Sequence, residues 1–448
     1  TDGAKKSRVQ VAKLDDANWA GTQKSDQCTL IVTEGDSAKA LAIAGLSVVG
    51  RDRYGVFPLR GKPRNVRDVG VKALTSNQEF SDLKKILGLQ QGKVYTSLKE
   101  LRYGRLMVMT DADVDGTHIK GLILNMIHAF WPSLLQMNFV VSMITPVIRV
   151  TGLASGPRSF YTDVAYNRWL EQNGPLPTRA IVKYYKGLGT STSKDAKDYF
   201  KSIDQLTVGF QNDPLADKAI LLAFDKTRAD ERKEWLLAAA REDRDTPLYG
   251  TITTITIDDF IQRDLVNFSL ADNVRSIPHL MDGLKPSQRK VLFACFKRNL
   301  TQEMKVAQLS GYVSEHTAYH HGEASLQGTI VGLAQDYVGS NNVNLLEPCG
   351  QFGSRLMNGK DSASPRYIFT RLMPVTRSIF SIRDDPVLKY LEDDGRPIEP
   401  DYYCPIIPTI LVNGCEGIGT GFSTFVPPYN PKDVVDGVKK CIQGKPLD

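Results

Sequence analysis

The chain has 448 residues, of which 42% are hydrophobic and 8% aromatic, a composition that suits about three folded domains and excludes a disordered protein. Its 56 basic and 50 acidic residues leave a net charge of +6, which by itself does not indicate nucleic-acid binding. Six scattered cysteines form no C-x-x-C pair. That pattern argues against a zinc site or a disulfide scaffold and favours a reducing intracellular compartment.

The first predicted unit is a strand followed by a helix. Residues 1–25 are polar, contain no apolar core of the kind found in signal peptides, and form a leading segment. The apolar run from Cys28 to Thr33 predicts a strand that is buried on both faces. The turn from Glu34 to Ser37 has good N-cap chemistry, and the Ala- and Leu-rich sequence after it predicts a helix.

The same plan repeats around the sequence TDADVDGTHIKG. Arg105–Thr110 predicts a strand, the loop after it carries Asp111, Asp113 and Asp115, and a helix is expected to start near Thr117. On an extended chain alternate residues point to one face about 7 Å apart, so these carboxylates would repel each other unless a cation lay between them. The two units therefore deliver carboxylates to the carboxyl ends of two strands, where open α/β sheets bind ligands.

Three interpretations of this acidic loop can be compared. An EF-hand calcium loop also begins D-x-D-x-D-G, but its twelfth position must be a bidentate Glu, and here that position is Leu122. Mg²⁺ fits better, because it takes one or two carboxylates and keeps several of its waters. A polar turn between a strand and a helix, with no metal, stays open on this stretch alone.

Three other segments resemble a membrane helix or a nucleotide-binding loop, but each is better explained as part of the folded structure. The run from Gly121 to Ile148 contains no Asp, Glu, Lys or Arg, so a membrane helix must be considered. Polar residues and the break at Trp131–Pro132 indicate a buried helix and then a strand instead. The sequence KYYKGLGTSTSKD lacks the Walker spacing, and GIGTGF has the wrong spacing for a dinucleotide loop, so neither predicts a nucleotide site.

The second half of the chain contains a candidate DNA-binding helix. Residues 221–247 predict a charged helical bridge, and Pro247 with Gly250 indicates a domain boundary. The sequence after it predicts a helix, a Pro/Gly turn and a second helix, and the turn and second helix carry Lys285, Arg289, Lys290, Lys297 and Arg298. A helix-turn-helix with a basic second helix predicts DNA binding, and a solvated basic face is the alternative.

The order of the short motifs is more informative than any one of them. From the N-terminus come EGDSA, PLRGK, D-x-D-x-D, YKGLGTSTSKD, DGLKPSQRKVL, YHHGE, SPRYIFT and NGCEGIGTG. This series closely resembles eukaryotic-type DNA topoisomerase II, of the type IIA family, over residues 1–448. Departures are small: Pro63–Arg64 replaces a usual apolar pair, and Phe422 stands where Trp is common.

The resemblance implies a multidomain fold of the α/β and α+β classes. A TOPRIM α/β domain with a parallel sheet would precede a winged-helix domain and the start of a mixed α/β tower domain. The expected boundaries are a leading segment at 1–25, the TOPRIM domain at 26–150, its extension and a helical linker at 151–255, the winged-helix domain at 256–400, and part of the tower at 401–448.

The resemblance also implies reversible double-strand DNA cleavage through a 5′-phosphotyrosine intermediate. Glu34, Asp111, Asp113 and Asp115 would hold two Mg²⁺ per active site, with Mn²⁺ or Ca²⁺ able to substitute, and Glu34 would also take part in catalysis. Four neighbouring carboxylates would be partly protonated without divalent cations, which agrees with that role. A bound cation would supply Lewis acidity at the leaving oxygen.

The nucleophile implied by the resemblance is Tyr367. The chain has 17 tyrosines, and local context favours this one because it follows Arg366 and a Gly/Ser-rich segment. A phenol with a pKa near 10 is a poor nucleophile at neutral pH, so nearby cations must assist it. Arg366 and His321 are the expected catalytic partners. Zinc binding by the histidines of HTAYHHGE is a weaker interpretation, because no cysteine stands at ligand spacing.

The remaining roles carried over concern DNA, and they rest on the matched motifs. Phosphate contacts, which position the duplex without reading its sequence, would come from Lys62, Lys285, Arg289, Lys290 and His320. Ile418 matches an isoleucine that wedges between base pairs and bends the DNA.

The expected partners are double-stranded DNA and a second copy of the chain, with no membrane. In the resembled family the tyrosine of one protomer works with the acids of its partner. We expect a nuclear location, or the DNA compartment of a virus or its host for a viral protein. The family's ATPase module, the rest of the tower, the C-terminal gate and the tail would lie outside these residues. We therefore expect cleavage and religation here, with ATP needed only by the full-length protein.

Two rival functions remain at this point. A TOPRIM-type metal-dependent nuclease or primase-like enzyme would share the acids but would not use Tyr367, and the long motif match after residue 258 argues against it. A non-catalytic DNA-bending scaffold would be expected to lack the acids or the tyrosine, and the chain has both.

Overall fold

The computed structural model of the chain describes residues 8–67, 69–185, 187–241, 253–319, 321–393 and 395–447. They form two compact units, residues 1–270 and 271–448. The boundary predicted at Pro247 and Gly250 lies outside the described residues. No described helix combines the length and the apolar character needed to cross a membrane.

A six-stranded sheet organises the first unit. Its strand order is β2-β1-β3-β4-β8-β9, with β2, β1, β3 and β4 mutually parallel, β8 antiparallel to β4, and β9 parallel to β8. A smaller antiparallel sheet has the order β6-β5-β7. The strands are β1 Thr29–Glu34, β2 Tyr54–Leu59, β3 Arg105–Met109, β4 Val140–Met143, β5 Ile148–Thr151, β6 Arg158–Phe160, β7 Ile181–Tyr184, β8 Thr207–Gln211 and β9 Thr254–Thr256.

Helices cover both faces of the large sheet. They are α1 Gly35–Val49, α2 Val71–Thr75, α3 Gln78–Leu87, α4 Val114–Phe130, α5 Pro132–Leu135, α6 Asp163–Asn173, α7 Ser193–Lys201, α8 Ala216–Phe224, α9 Ala229–Ala239, α10 Ile257–Asp259 and α11 Val266–Ser276, with a π-helical stretch at Phe260–Leu265. Short 3-10 turns lie at Ser25–Gln27, Leu98–Glu100, Leu188–Thr190 and Lys226–Arg228.

The apolar runs of β1 and β3 explain this layering. Leu30 and Val32 belong to the core that includes helix α4, whereas Ile31 belongs to the core formed with α1 and α7. Successive strand residues point to opposite faces, so only a continuous apolar run serves a strand that is covered on both sides. The predicted strands at Cys28–Thr33 and Arg105–Thr110 are confirmed, as is the predicted α/β class of this unit.

The second unit is a mixture of helices and short hairpins. Helices α12, α13 and α14 pack on one another around an apolar core. The strands form three antiparallel pairs, β10-β11, β12-β13 and β14-β15. The elements are α12 Pro286–Arg298, β10 Met304–Lys305, α13 Val306–Thr317, α14 Glu323–Ala334, β11 Phe369–Thr370, α15 Thr376–Ile379, a 3-10 turn at Asp385–Val387, β12 Tyr390–Asp393, β13 Arg396–Pro400, α16 Thr409–Val412, β14 Cys415–Ile418, β15 Ser423–Val426 and α17 Pro431–Ile442.

Local predictions differ from the structure at two helix starts. Helix α4 begins at Val114, three residues before the predicted start, because the Asp113 side chain accepts a hydrogen bond from the amide of Gly116 and caps the helix. Helix α1 has no side-chain cap at Glu34, although cap chemistry was expected there. The predicted break at Trp131–Pro132 is confirmed, since α4 ends at Phe130.

Candidate metal and tyrosine sites

The four acids predicted as metal ligands belong to one edge of the large sheet. Glu34 is the last residue of β1, and Asp111 follows the end of β3 by two residues. Strands β1 and β3 are parallel neighbours, so their carboxyl ends meet at the same edge. Asp113 and Asp115 lie at the start of α4, directly after β3. Sheet topology therefore gathers residues that are about 80 positions apart in the sequence.

Glu34 has a buried carboxylate oxygen, Oε2, that lacks a hydrogen-bond partner among the described residues. Burial raises the pKa of Glu34 to about 7, and the negative charges of Asp111 and Asp113 add to the effect. A hydrogen bond from the backbone of Asp111 opposes this rise. A buried carboxylate without a compensating cation favours its neutral form, and a bound cation would restore the charged form.

Asp111 is positioned by a loop far away in the sequence. Its Oδ1 atom accepts a hydrogen bond of 2.7 Å from the backbone amide of Leu188. A Cβ at Gly187 would lie 2.7 Å from Asp111 Oδ2, so this close approach requires glycine. Burial raises the pKa of Asp111, while the Leu188 amide opposes that rise. Gly187 and Leu188, which belong to a sequence that fails as a phosphate loop, thus help to orient an acid.

Asp113 and Asp115 are each engaged by the protein, and one geometric prediction about them is wrong. Asp113 caps α4, and Asp115 Oδ1 lies 2.6 Å from Lys62 Nζ. The ammonium group of Lys62 also lies 4.6 Å from the ring centroid of Phe268. The three aspartates were expected on one extended chain, but Asp115 lies in the first turn of the helix. The helix N-cap at Asp113 ends the extended segment early.

The acids do not form a ready-made ligand set. Among the described residues, no three side chains of His, Cys, Asp or Glu are grouped closely enough to hold a metal ion together. The bonds to Leu188, Gly116 and Lys62 explain this spacing, because each turns one carboxylate toward a protein donor. The donor chemistry nevertheless fits a hard divalent cation, since all donors are carboxylate oxygens and Glu34 Oε2 is left without a partner.

A buried lysine near this edge was missed by the sequence analysis. Lys120, on α4, lines a cavity of about 210 Å³ together with Asp113, Thr117 and Asp264. Burial lowers the pKa of Lys120, and the charges of Asp264 and Asp113 oppose that shift. Its position seven residues after Asp113, two helical turns along one face of α4, is the sequence signal that could have revealed it.

The predicted nucleophile is displayed on the surface of the second unit. The side chain of Tyr367 is 76% exposed, and its neighbour Arg366 is exposed as well. The backbone around it is fixed: the amides of Val306 and Ala307 donate to the carbonyls of Ile368 and Pro365 at 3.0 and 3.1 Å. Buried Ile368 anchors the segment in the core. The loop is therefore held by its backbone while the phenol points into solvent.

Of the two histidines with predicted roles at the site, the structure describes His321 and not His320. His321 is exposed and packs edge-on against Tyr319, with ring centroids 5.4 Å apart. The catalytic role of His321 and the phosphate contact of His320 therefore stay predictions.

The basic residues of the α12 region, which are predicted to contact DNA, differ in their exposure. Arg289 is buried, and its guanidinium donates to Asp282 at 2.7 and 3.0 Å. Lys290 Nζ lies 2.7 Å from Glu399 and donates to the Thr317 carbonyl at 2.6 Å. Both cations therefore have carboxylate partners in the DNA-free chain, and their predicted DNA contacts stay predictions. Lys285, at the start of the helix, is partly exposed.

Ile418 ends the first strand of the β14-β15 hairpin. Its side chain is 74% exposed, which is compatible with the wedge role predicted for it.

Comparisons with known proteins cover nearly the whole chain in three consecutive matches. Residues 29–144 match the Toprim domain, residues 143–273 the C-terminal associated domain of TOPRIM, and residues 275–448 the family of the A subunit of DNA gyrase/topoisomerase IV. The chain therefore has a Toprim domain followed by a gyrase-A-type region, an arrangement that implies a divalent metal cofactor.

Individual relatives narrow this class. The chain is 54% identical over 100% of its length to a probable DNA topoisomerase 2 of Dictyostelium discoideum, and 56% identical over 97% of its length to DNA topoisomerase 2 top-2 of Caenorhabditis elegans. It also matches the structure of the Plasmodium falciparum topoisomerase II DNA-binding, cleavage and re-ligation domain, with 52% identity and a TM-score of 0.79, covering 98% of this chain and 60% of that one.

These likenesses place the chain in the type IIA DNA topoisomerase family, in the eukaryotic DNA topoisomerase 2 branch. The chain spans 29% of the length of each of the two curated relatives named above.

Proposed function

We propose that this chain is the DNA-gate segment of a type II DNA topoisomerase and carries out reversible, Mg²⁺-dependent cleavage of both strands of duplex DNA. The observation that carries the proposal is the position of Tyr367: its phenol is 76% exposed, and hydrogen bonds fix the backbone of its loop. The other unit of the chain holds the acids, one of which, Glu34, has a buried oxygen without a hydrogen-bond partner among the described residues. A nuclease would need the acids but not the displayed tyrosine.

In the proposed reaction the phenolic oxygen of Tyr367 attacks a DNA phosphorus atom. A phosphotyrosyl bond to the 5′ end forms, the bond from phosphorus to the 3′ oxygen breaks, and the 3′ hydroxyl leaves. Arg366 is proposed to bind the non-bridging phosphate oxygens, because a guanidinium can hold two of them at once. His321 is the candidate group for taking the phenolic proton. Attack by the same 3′ hydroxyl on the phosphotyrosine reseals the strand without an external energy source.

Residues of the first unit are proposed to bind the cofactor. Glu34 and Asp111 are the first candidates, with Asp113 and Asp115 completing the set once Lys62 and the helix cap release them. A Mg²⁺ ion held by these carboxylates would supply Lewis acidity at the leaving oxygen. The chain's own contribution is to hold Asp111 through the Leu188 amide and to keep Glu34 in a buried environment where a cation is favoured over a proton.

The wider biology is proposed by similarity to the relatives. Two copies would be needed, each cutting one strand, so we propose a homodimer. The full-length protein would couple the gate to ATP-driven strand passage. A nuclear location is proposed, although one relative with 54% identity is a mitochondrial DNA topoisomerase 2 of Dictyostelium discoideum.

The test is cleavage of supercoiled plasmid by the chain with Mg²⁺, stopped with detergent and analysed with and without protease. Protein-linked breaks are expected for the wild type and for Tyr429→Phe, a control at another exposed tyrosine of the same unit. Tyr367→Phe should lower their yield by at least about 10⁴-fold, as expected for loss of a nucleophile. Breaks without attached protein that persist in Tyr367→Phe would mean metal-dependent hydrolysis and would establish the nuclease instead.

A further inference from the structure

The β14-β15 hairpin has two chemically different faces. Its register pairs Cys415 with Val426 and Gly417 with Thr424 on one face, and Glu416 with Phe425 and Ile418 with Ser423 on the other. Directly paired residues of an antiparallel ladder share a face, and faces alternate along each strand. The second set is fully on the solvent side, because all four of its residues are exposed.

The first face is fixed against the protein. A Cβ at Gly417 would lie 2.3 Å from the carbonyl oxygen of Ser276, so the hairpin backbone is pressed against this segment. At the turn, the Asn273 side-chain amide donates to the Thr420 carbonyl at 3.0 Å, and the Thr420 hydroxyl donates to Asp272 at 2.9 Å. The hairpin is therefore held at its tip and along one side, and its outer face has a defined orientation.

The outer face carries a second large apolar residue. Phe425 is 72% exposed, nearly as much as Ile418, and an exposed aromatic ring beside an exposed aliphatic chain forms an apolar surface that water solvates poorly. The other two residues of this face are Glu416 and Ser423, neither of which is a cation. The face is therefore poorly suited to phosphate contacts, and its contribution to DNA binding must come from the apolar side chains.

The spacing of the two apolar residues matches duplex DNA. Phe425 is the diagonal neighbour of Ile418, because it stands two residues beyond the Ser423 that pairs with Ile418. Diagonal neighbours lie about 7 Å apart. Base pairs rise by about 3.4 Å, so this distance corresponds to roughly two base-pair steps.

We propose that Phe425 is a second apolar DNA contact, which packs into the minor groove about two base-pair steps from the Ile418 wedge and stabilises the bent duplex. The inference rests on the proposed function, since it uses the duplex proposed there, and on the wedge role predicted for Ile418 from the sequence. Its physical basis is general: apolar side chains inserted from the minor groove unstack base steps and kink DNA. Two contacts on one rigid hairpin hold the kink better than one, because the backbone that carries them does not have to be ordered on binding.

The experiment measures the affinity and the bend of an end-labelled duplex of about 30 base pairs, by anisotropy and by energy transfer, over a series of salt concentrations. Phe425→Ala should weaken binding by about 5- to 150-fold, the range for loss of one contact between an aromatic ring and a base, and should lower the bent fraction. The slope of log affinity against log salt should stay unchanged, because no phosphate contact is lost. Ile418→Ala should have a larger effect, and Val387→Ala, at an 80% exposed apolar residue of the same unit, should have none.

A second variant separates apolar contact from charge. Phe425→Lys should bind more tightly and with a steeper salt slope, yet should bend the duplex less than the wild type. Phe425→Leu should keep most of the bend. Unchanged bending in Phe425→Ala, while Ile418→Ala loses it, would overturn the inference and leave the proposed function intact. Full bending by Ile418→Ala would remove the wedge on which the inference rests and would overturn it as well. No DNA binding by the wild type would count against the proposed function itself.

Discussion

Two buried carboxylates, Glu34 in the first unit and Asp282 in the second, show how differently the chain treats the same chemical group. Asp282 is fully buried and fully satisfied: Arg289 donates to both of its oxygens, and the amides of Leu284 and Tyr403 donate at 3.0 and 2.9 Å. Glu34 has a buried oxygen with no partner among the described residues and a pKa raised to about 7 by burial.

The difference separates structure from function. Evolution can stabilise a buried carboxylate with an internal cation, and Asp282 shows that this chain does so where the charge only holds a turn. Leaving Glu34 without an internal cation lowers the stability of the metal-free fold, as expected if this carboxylate binds an external cation, the role proposed for it. Substitutions at the two carboxylates should therefore change stability in opposite directions.

The largest stability effect is expected at Asp282. Asp282→Asn leaves the Arg289 guanidinium buried without a counter-charge, which should lower the free energy of unfolding by about 3–5 kcal/mol. The measurement is urea unfolding followed by two probes. All four tryptophans, Trp19, Trp131, Trp169 and Trp235, lie in residues 1–270, so their fluorescence reports on the first unit, whereas circular dichroism reports on both.

The expected signature is an earlier circular-dichroism transition with an unchanged tryptophan transition. The double variant Asp282→Asn with Arg289→Met should recover part of the loss, because it removes both charges. An equal shift of both probes, or no shift, would show that this ion pair does not specifically stabilise the second unit.

A substitution at Glu34 is expected to raise the free energy of unfolding, whereas one at Asp282 should lower it. Its folded-state pKa of about 7 lies above the ordinary value of 4.5, so the folded chain binds the proton more tightly than the unfolded chain does. Unfolding free energy should therefore fall as pH rises from about 4.5 to about 7, and remain reduced above that. At pH 8 without metal, Glu34→Gln should be more stable than the wild type by about 1 kcal/mol, after allowance for solvent screening. Tryptophan fluorescence during unfolding is the readout.

A matched control is Glu100→Gln in the same unit. The Lys93 ammonium holds the pKa of Glu100 at about 2, so its carboxylate contributes stability that is present above about pH 4.5 and is lost as pH falls toward 2. This variant should be slightly less stable than the wild type at pH 8. Added Mg²⁺ should stabilise the wild type and not Glu34→Gln. If Glu34→Gln were the less stable protein at pH 8, Glu34 would have a structural partner after all.

The comparison also shows what sequence could reveal. The strands ending at Glu34 and before Asp111 could be predicted because a strand covered on both faces needs an unbroken apolar run. The ion-pair partners of the basic residues near α12 could not be predicted, because Lys290 pairs with Glu399, which is more than a hundred positions away in the sequence. The hydrogen bond from the Leu188 amide to Asp111 could not be predicted either, because every residue type except proline has a backbone amide that can donate.

The smallest predicted effect concerns Lys62. Its ammonium lies 2.6 Å from Asp115 and is partly exposed, so it competes only weakly with a divalent cation for that carboxylate. Lys62→Gln should tighten Mg²⁺ binding to the DNA-free chain by about 2- to 5-fold, the range for an exposed ion pair. Calorimetric titration with Mg²⁺ is the measurement, and Lys93→Gln, which removes a comparable lysine from Glu100, is the control and should change nothing.

Lys62→Gln should at the same time weaken duplex binding and flatten its salt dependence, because the lysine is predicted to contact phosphate once Asp115 turns to the metal. Tighter Mg²⁺ binding together with weaker DNA binding is expected only if Lys62 pairs with Asp115 in the DNA-free chain and with a phosphate when DNA is bound. Weaker Mg²⁺ binding in Lys62→Gln would mean that the lysine orders Asp115 for the cation, and the competition between them would have to be abandoned.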